Sequence, residues 1–223
     1  MGEGRLGNPL PVLKLPSGPL QYEQTGAGSL AVFVHGGGLD HNMWREQLVA
    51  LGDLRRCVAI DLPAASEGPP RRLDLCQVID ALGSEPADLV GHSWGGHEVL
   101  AAWRRCPHRV RSIALFGVMF SADAPAGAAG EESGSLRPVP IEAQVEVVRS
   151  ISVPLLIATG DRDQNTPAAL CRKLAQTNAA AAFIQVAGAG HMAPFEKPLA
   201  VNAALRALWY DSNIQNAVPP GRT

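Results

Sequence analysis

A serine hydroxyl attacks a carbonyl only when a base takes its proton and donors receive the charge that develops. Gly91-His92-Ser93-Trp94-Gly95, extended by Gly96, matches the Gly-x-Ser-x-Gly pattern that presents such a serine. The glycines permit a tight strand-to-helix turn in which flanking side chains would collide. The turn lifts the hydroxyl above a sheet edge and aims the N-terminus of the next helix at it. The segment lies between Asp88-Leu89-Val90, which reads as a strand, and a helical stretch starting at Trp94. The chemistry expected of Ser93 is acyl transfer.

Among six histidines, the base expected is His191, in Gly188-Ala189-Gly190-His191-Met192 after the last strand-like run. His35 is expected to brace its glycine loop, and His92 to point away from Ser93. His97 is expected to pack along a helix, and His41 and His108 to lie on the surface. An acid must orient the base. The stretch Thr159-Gly160-Asp161-Arg162-Asp163 offers two, with Asp123 as a further alternative. Backbone donors for an oxyanion are expected from Trp94 N–H and from the loop His35-Gly36-Gly37-Gly38, above all Gly37.

These residues need strand ends to hold them. Apolar runs over Leu30–Val34, Cys57–Ile60, Ala87–Val90, Val110–Phe116, Val153–Thr159 and Ala181–Val186 read as strands, and Leu20–Thr25 as another. Between them, His41–Leu51, Leu73–Leu82, Trp94–Arg105, Ile141–Ser150, Pro167–Gln176 and Glu196–Trp209 read as helices. Alternation of this kind predicts an α/β fold, a mostly parallel central sheet flanked by helices. Chemistry then collects at the carboxyl ends of the strands, where the Gly-rich clusters stand.

The chain has 223 residues, 46% of them apolar, and reads as one domain over 1–223. A net charge of -2, from 19 basic and 21 acidic residues, argues against nucleic acid or an anionic membrane as partner. The arginine pairs Arg55-Arg56, Arg71-Arg72 and Arg104-Arg105 are too isolated for a recognition patch and are expected on solvated faces. Cys57, Cys76, Cys106 and Cys171 form no C-x-x-C pair and read as reduced thiols of a cytoplasmic protein. The N-terminus lacks the apolar core of a secretory signal, and no apolar run reaches the ~20 residues of a membrane span. The Ala-, Gly- and Pro-rich stretch 121–140 reads as a weakly ordered excursion, and 211–223 as a flexible tail.

Together these segments resemble the α/β-hydrolase superfamily, in its esterase, lactonase and aminopeptidase-like branch, from about Tyr22 to Trp209. The landmarks are His35-Gly36-Gly37-Gly38, Asp61-Leu62-Pro63, Gly91-His92-Ser93-Trp94-Gly95-Gly96, Gly160-Asp161-Arg162-Asp163, and Gly190-His191 with Glu196-Lys197-Pro198. The resemblance implies an acid at the last residue of a Gly-x-x-Asp turn, hence Asp163, and a triad of Ser93, Asp163 and His191. It implies ester or lactone hydrolysis of a small-molecule substrate, without metal or other cofactor. C–C or amide hydrolysis, or a ligand receptor on the same scaffold, are the alternatives. Serine at the nucleophile position sets the chain apart from haloalkane dehalogenases and epoxide hydrolases, which use an aspartate there. Ala64-Ala65-Ser66 replaces the Gly-His-Gly common in relatives. Only 117–150 is available for a cap, which implies a minimal lid and an open site. Monomer and dimer are left open.

Overall fold

The computed structural model describes residues 9–63, 73–83, 85–118, 120–121 and 139–217. Its first strands are β1 (Val12–Leu15), β2 (Gly18–Thr25) and β3 (Leu30–Val34). A 3₁₀ turn over His41–Trp44 leads into α1 (Arg45–Leu51), followed by β4 (Arg56–Ile60) and α2 (Leu75–Leu82). Then come β5 (Ala87–His92), α3 (Trp94–Arg105), β6 (Val110–Phe116) and two short strands, β7 (Phe120–Ser121) and β8 (Val139–Pro140). The chain continues through α4 (Ile141–Ser150), β9 (Leu155–Gly160), α5 (Ala168–Ala175), β10 (Ala181–Val186), α6 (Ala193–Glu196) and α7 (Pro198–Ala217).

Eight strands form one sheet in the order β1-β2-β4-β3-β5-β6-β9-β10. β1 and β2 pair antiparallel, as do β2 and β4, and all other neighbours are parallel. This is the mostly parallel, helix-flanked sheet expected of the sequence. β1 was not expected, because its residues lie in the Gly- and Pro-rich N-terminal stretch; it adds to β2 as a hairpin on the sheet edge. Strand order reverses at β3, whose neighbours are β4 and β5. A switch point of this kind opens a crevice at the carboxyl ends of the strands.

The central strands read as unbroken apolar runs because both faces are covered. Their side chains still alternate. Val32, Val34, Val58, Ile60, Leu89, Ile113, Leu115, Leu155 and Ile157 pack on one face, with residues of α2, α3, α4 and α5. Ala31, Phe33, Ala59, Val90, Ala114, Phe116, Leu156 and Ala158 pack on the other, with Leu48 and Leu51 of α1 and Val201, Leu205 and Trp209 of α7. A period of two thus divides one hydrophobic run between two cores. α7 continues to Ala217, into the stretch expected as a tail, because no Gly or Pro interrupts it before Pro219.

Two expectations are corrected. Cys76 and Cys106 form a disulfide with their Cα atoms 6.2 Å apart, tying the first turn of α2 to the end of α3. They lie 30 residues apart in sequence, so spacing gave no sign of the bond. Cys57 and Cys171 are free and buried, and burial pushes each thiol up to about 12. Arg55 is not on a solvated face. It is buried and donates to Asp88 Oδ2 at 2.7 Å, beside Arg111 and the Ser112 hydroxyl on the same carboxylate. A buried charge persists only when paired and hydrogen-bonded in this way. Trp44 and Met43 belong to the core between α1 and the sheet, where the Trp44 ring meets Phe33 at a tilt and Phe116 edge-on. Of the expected lid, α4 is described, and residues 119 and 122–138, Asp123 among them, lie outside the described residues. Among the described residues, no helix is long and apolar enough to cross a membrane.

Candidate active site

Ser93 sits between β5 and α3 with φ 50° and ψ -115°, the one non-glycine with positive φ among the described residues. A left-handed backbone at a serine is strained, and such strain collects at functional sites. Two features hold it. Ser93 N–H donates to Phe116 O of β6 at 2.9 Å, and α3 begins at the next residue. Gly95 lets that helix approach β3, for a Cβ there would lie 2.2 Å from Val34 O. Trp94 is the first residue of α3, so its N–H has no acceptor within the helix.

His191 follows β10, and Asp163 follows β9. The structure brings them together: His191 Nδ1 lies 2.9 Å from Asp163 Oδ2. A carboxylate only accepts, so Nδ1 carries the proton and Nε2 presents its lone pair. Gly117, at the end of β6, is the floor of this pair, since a Cβ there would lie 3.2 Å from the His191 ring and 3.3 Å from Asp163 Oδ2. Asp161 is exposed and makes no such pair; its N–H donates to Val186 O, which organises the turn. Ser93 is 7% exposed, and the Asp163 side chain is fully buried, which strengthens its electrostatics. Among the described residues the Ser93 hydroxyl makes no hydrogen bond to His191; in unliganded sites this bond is often long.

Five donors converge on Asp163. Asn165 and Thr166 N–H meet Oδ1 at 2.8 and 2.9 Å, while His191 Nδ1, Thr159 Oγ1 and Thr166 Oγ1 meet Oδ2. Burial by itself would raise this carboxyl. The bonds from His191 and Thr166 outweigh it and hold Asp163 well below the usual carboxylate range. Sequence reading missed Thr159 and Thr166. The available signal was Thr166 three residues after an aspartate, the spacing at which a side-chain carboxylate captures backbone N–H groups.

Two further residues fix the histidine. Glu196 straddles it, accepting Gly190 N–H at 2.9 Å and Met192 N–H at 3.1 Å. His92 Nε2 lies 2.8 Å from His191 O, and the two rings are 4.9 Å apart. The carbonyl can only accept, so His92 is a neutral Nε2–H donor; burial lowers it to about 4. Its Nε2 is thus committed to the His191 carbonyl and not to Ser93. His97 packs against the Trp94 ring and bonds Gln144 of α4 at 3.1 Å. His108 is exposed as expected. His41, expected on the surface, is half-buried, for its Nδ1 meets Asp61 Oδ1 at 2.8 Å with a side chain 11% exposed.

This arrangement can move a proton from a hydroxyl beside a helix N-terminus to an imidazole backed by a buried anion. Comparison with known proteins agrees with the fold that supports it. A family model described as "Alpha/beta hydrolase family" matches residues 31–204. The dihydrolipoyllysine-residue acetyltransferase component of the acetoin cleaving system of Cupriavidus necator is 33% identical over 115 residues, 47% of this chain and 31% of that protein. The 2-hydroxy-6-oxo-2,4-heptadienoate hydrolase of Pseudomonas putida is 34% identical over 109 residues, 42% of this chain and 39% of that protein. The chain thus spans about a third of the length of these curated relatives. Among solved structures, a thermophilic esterase from Thermogutta terrifontis superimposes with a TM-score of 0.77 at 21% identity, covering 92% of this chain and 99% of that one.

Proposed function

This chain belongs to the alpha/beta hydrolase family, and from that premise we propose that it is a serine hydrolase of small carboxylic esters or lactones. The observation that supports the reading most directly is the His191–Asp163 pair, held at the strand ends beside a strained Ser93. His191 Nε2 takes the Ser93 proton as Oγ attacks the acyl carbon. Asp163 keeps the proton on Nδ1 and stabilises the imidazolium that forms. Trp94 and Gly37 N–H groups receive the tetrahedral oxyanion, and His191 returns the proton to the leaving alcohol. Water then attacks the acyl-enzyme by the same route and releases the acid. Each step balances with the chain's own groups, so no cofactor is invoked.

The test is hydrolysis of p-nitrophenyl esters of increasing acyl length by wild type and Ser93→Ala. Multiple turnover by wild type and none by the variant is expected; equal rates would remove Ser93 from the mechanism. A second reading, C–C bond hydrolysis on the same residues, draws on the likeness to the heptadienoate hydrolase. Turnover of a vinylogous diketone in preference to every ester would favour it. A ligand receptor would instead bind an ester and turn it over once or not at all. The partner proposed is a small molecule, not nucleic acid or membrane, in line with a net charge of -2. The Cys76–Cys106 disulfide favours an oxidising compartment over the cytoplasm.

A further inference from the structure

The glycine loop after β3 is held at both ends by adjacent residues of the β4 end. At its start, Leu62 N–H donates to His35 Nε2 at 2.9 Å. That nitrogen must therefore hold the lone pair, and the ring proton is on Nδ1. Nδ1–H donates to Gly36 O at 2.7 Å, and Leu39 N–H reaches the same oxygen at 3.3 Å. At the other end, His41 N–H and Nδ1–H both meet Asp61 Oδ1, at 2.7 and 2.8 Å. Asp61 N–H is itself anchored on Gln21 O of β2 at 3.0 Å. Burial holds His35 below the ordinary histidine range, which keeps it neutral and this tautomer intact.

The consequence is directional. In a trans peptide, the carbonyl and the next N–H point in opposite directions. With Gly36 O drawn onto the His35 ring, Gly37 N–H faces away from it. Gly36 lies against the nucleophile turn, since a Cβ there would come within 3.3 Å of Ser93 Cβ and 2.8 Å of His92 Nδ1. We propose that His35 and Asp61 are positioning residues, which hold the Gly36–Gly37 peptide so that Gly37 N–H meets the acyl oxygen of a substrate on Ser93. The proposal rests on the serine-hydrolase reading. Neither side chain touches the substrate; both act through the peptide.

The experiment compares wild type, His35→Leu, His35→Asn, Asp61→Ala and Ser93→Ala in hydrolysis of p-nitrophenyl acetate. Losing one oxyanion donor costs roughly 10²–10³-fold in kcat. His35→Leu is therefore expected to lose about 10²-fold in kcat with KM changed less than about threefold. Asp61→Ala is expected to lose kcat in the same way and by less, because it frees only the far end of the loop. The pH profile of kcat/KM should stay in place, because His191 and Asp163 are untouched. His35→Asn keeps a donor for Gly36 O and should recover at least about tenfold of the loss. A His35→Leu enzyme as fast as wild type, a loss Asn does not recover, or a shifted pH profile would each overturn the proposal. Equal rates for wild type and Ser93→Ala would instead sink the serine reading. Amide exchange then decides the brace on its own: Leu39 and Leu62 N–H should exchange much faster in His35→Leu, and unchanged protection overturns it.

Discussion

At the scale of single residues, the site depends on which ionisable groups are charged. Asp163 is anionic because the bonds from His191 and Thr166 outweigh its burial, and His92 is neutral because burial dominates. These shifts act at different ends of the pH scale. His92 falls from an ordinary 6.5 to about 4 on folding, so the unfolded chain binds a proton that the folded chain refuses between those values. Its stabilisation is complete above about pH 6.5 and is lost as pH falls toward 4, an amount on the order of 3 kcal/mol. The Asp163 contribution is retained through that window and lost only below the usual carboxylate range. Urea midpoints for wild type should therefore fall from pH 7 to pH 4.5, and His92→Gln should flatten that fall while keeping a donor for His191 O. An identical slope in the variant would assign the loss to other groups. Ser93 and His191 were legible as residues because each sits in its own glycine-rich signature. Asp163 was not separable from Asp161 on spacing alone. They stand two apart in one turn, and only the path of the backbone sends one carboxylate inward and the other to solvent.

At the scale of elements, the alternation of apolar runs with helical stretches was readable almost throughout. β3, α3, β6 and β10 stand where the pattern put them. For β3 and β6 the reason is that central parallel strands are covered on both sides, so each leaves an unbroken hydrophobic run ended by a turn; β10 is an edge strand with half its residues exposed. The turn at Ser93 joins two such elements, β5 and α3, under a close contact. Gly95→Ala would set a Cβ 2.2 Å from a β3 carbonyl that is locked between two neighbouring strands. The substitution should destabilise by about 3 kcal/mol or more, measured by chemical denaturation. A cost under about 1 kcal/mol would mean that α3 can pivot at the turn. What the pattern hid were short or unusual pieces. β1 lay in a Gly- and Pro-rich stretch, and the first turn of the expected His41–Leu51 helix is 3₁₀, capped by Asp40 through Asn42 N–H at 2.9 Å.

At the scale of the molecule, the disulfide ties together the helices on the face opposite α1 and α7. Ser93 caps one end of α3 and Cys106 the other, so the bond to Cys76 anchors the end of the helix far from Ser93. Closing a loop of 30 residues stabilises by about 3–4 kcal/mol through the unfolded chain. Reductant, or Cys76→Ser, should lower Tm accordingly, and thiol titration of the denatured, unreduced protein should find two free thiols. Four free thiols with an unchanged Tm would show that the bond does not form in solution.

The sequence alone determined the α/β order and marked Ser93 and His191 at the ends of strands. Those features are local, written as periodicity within one element or as glycines within one turn. Only the tertiary structure decided the rest. Asp163, which the Gly-x-x-Asp resemblance had implied, stands on His191, and the fold drew Thr159, Glu196 and His92 around that pair. It also buried Arg55 on Asp88, closed Cys76 on Cys106, and joined His35 and His41 to Asp61-Leu62. Each of these depends on the direction of a side chain toward a partner brought close by the sheet, and no spacing along the chain encodes that direction.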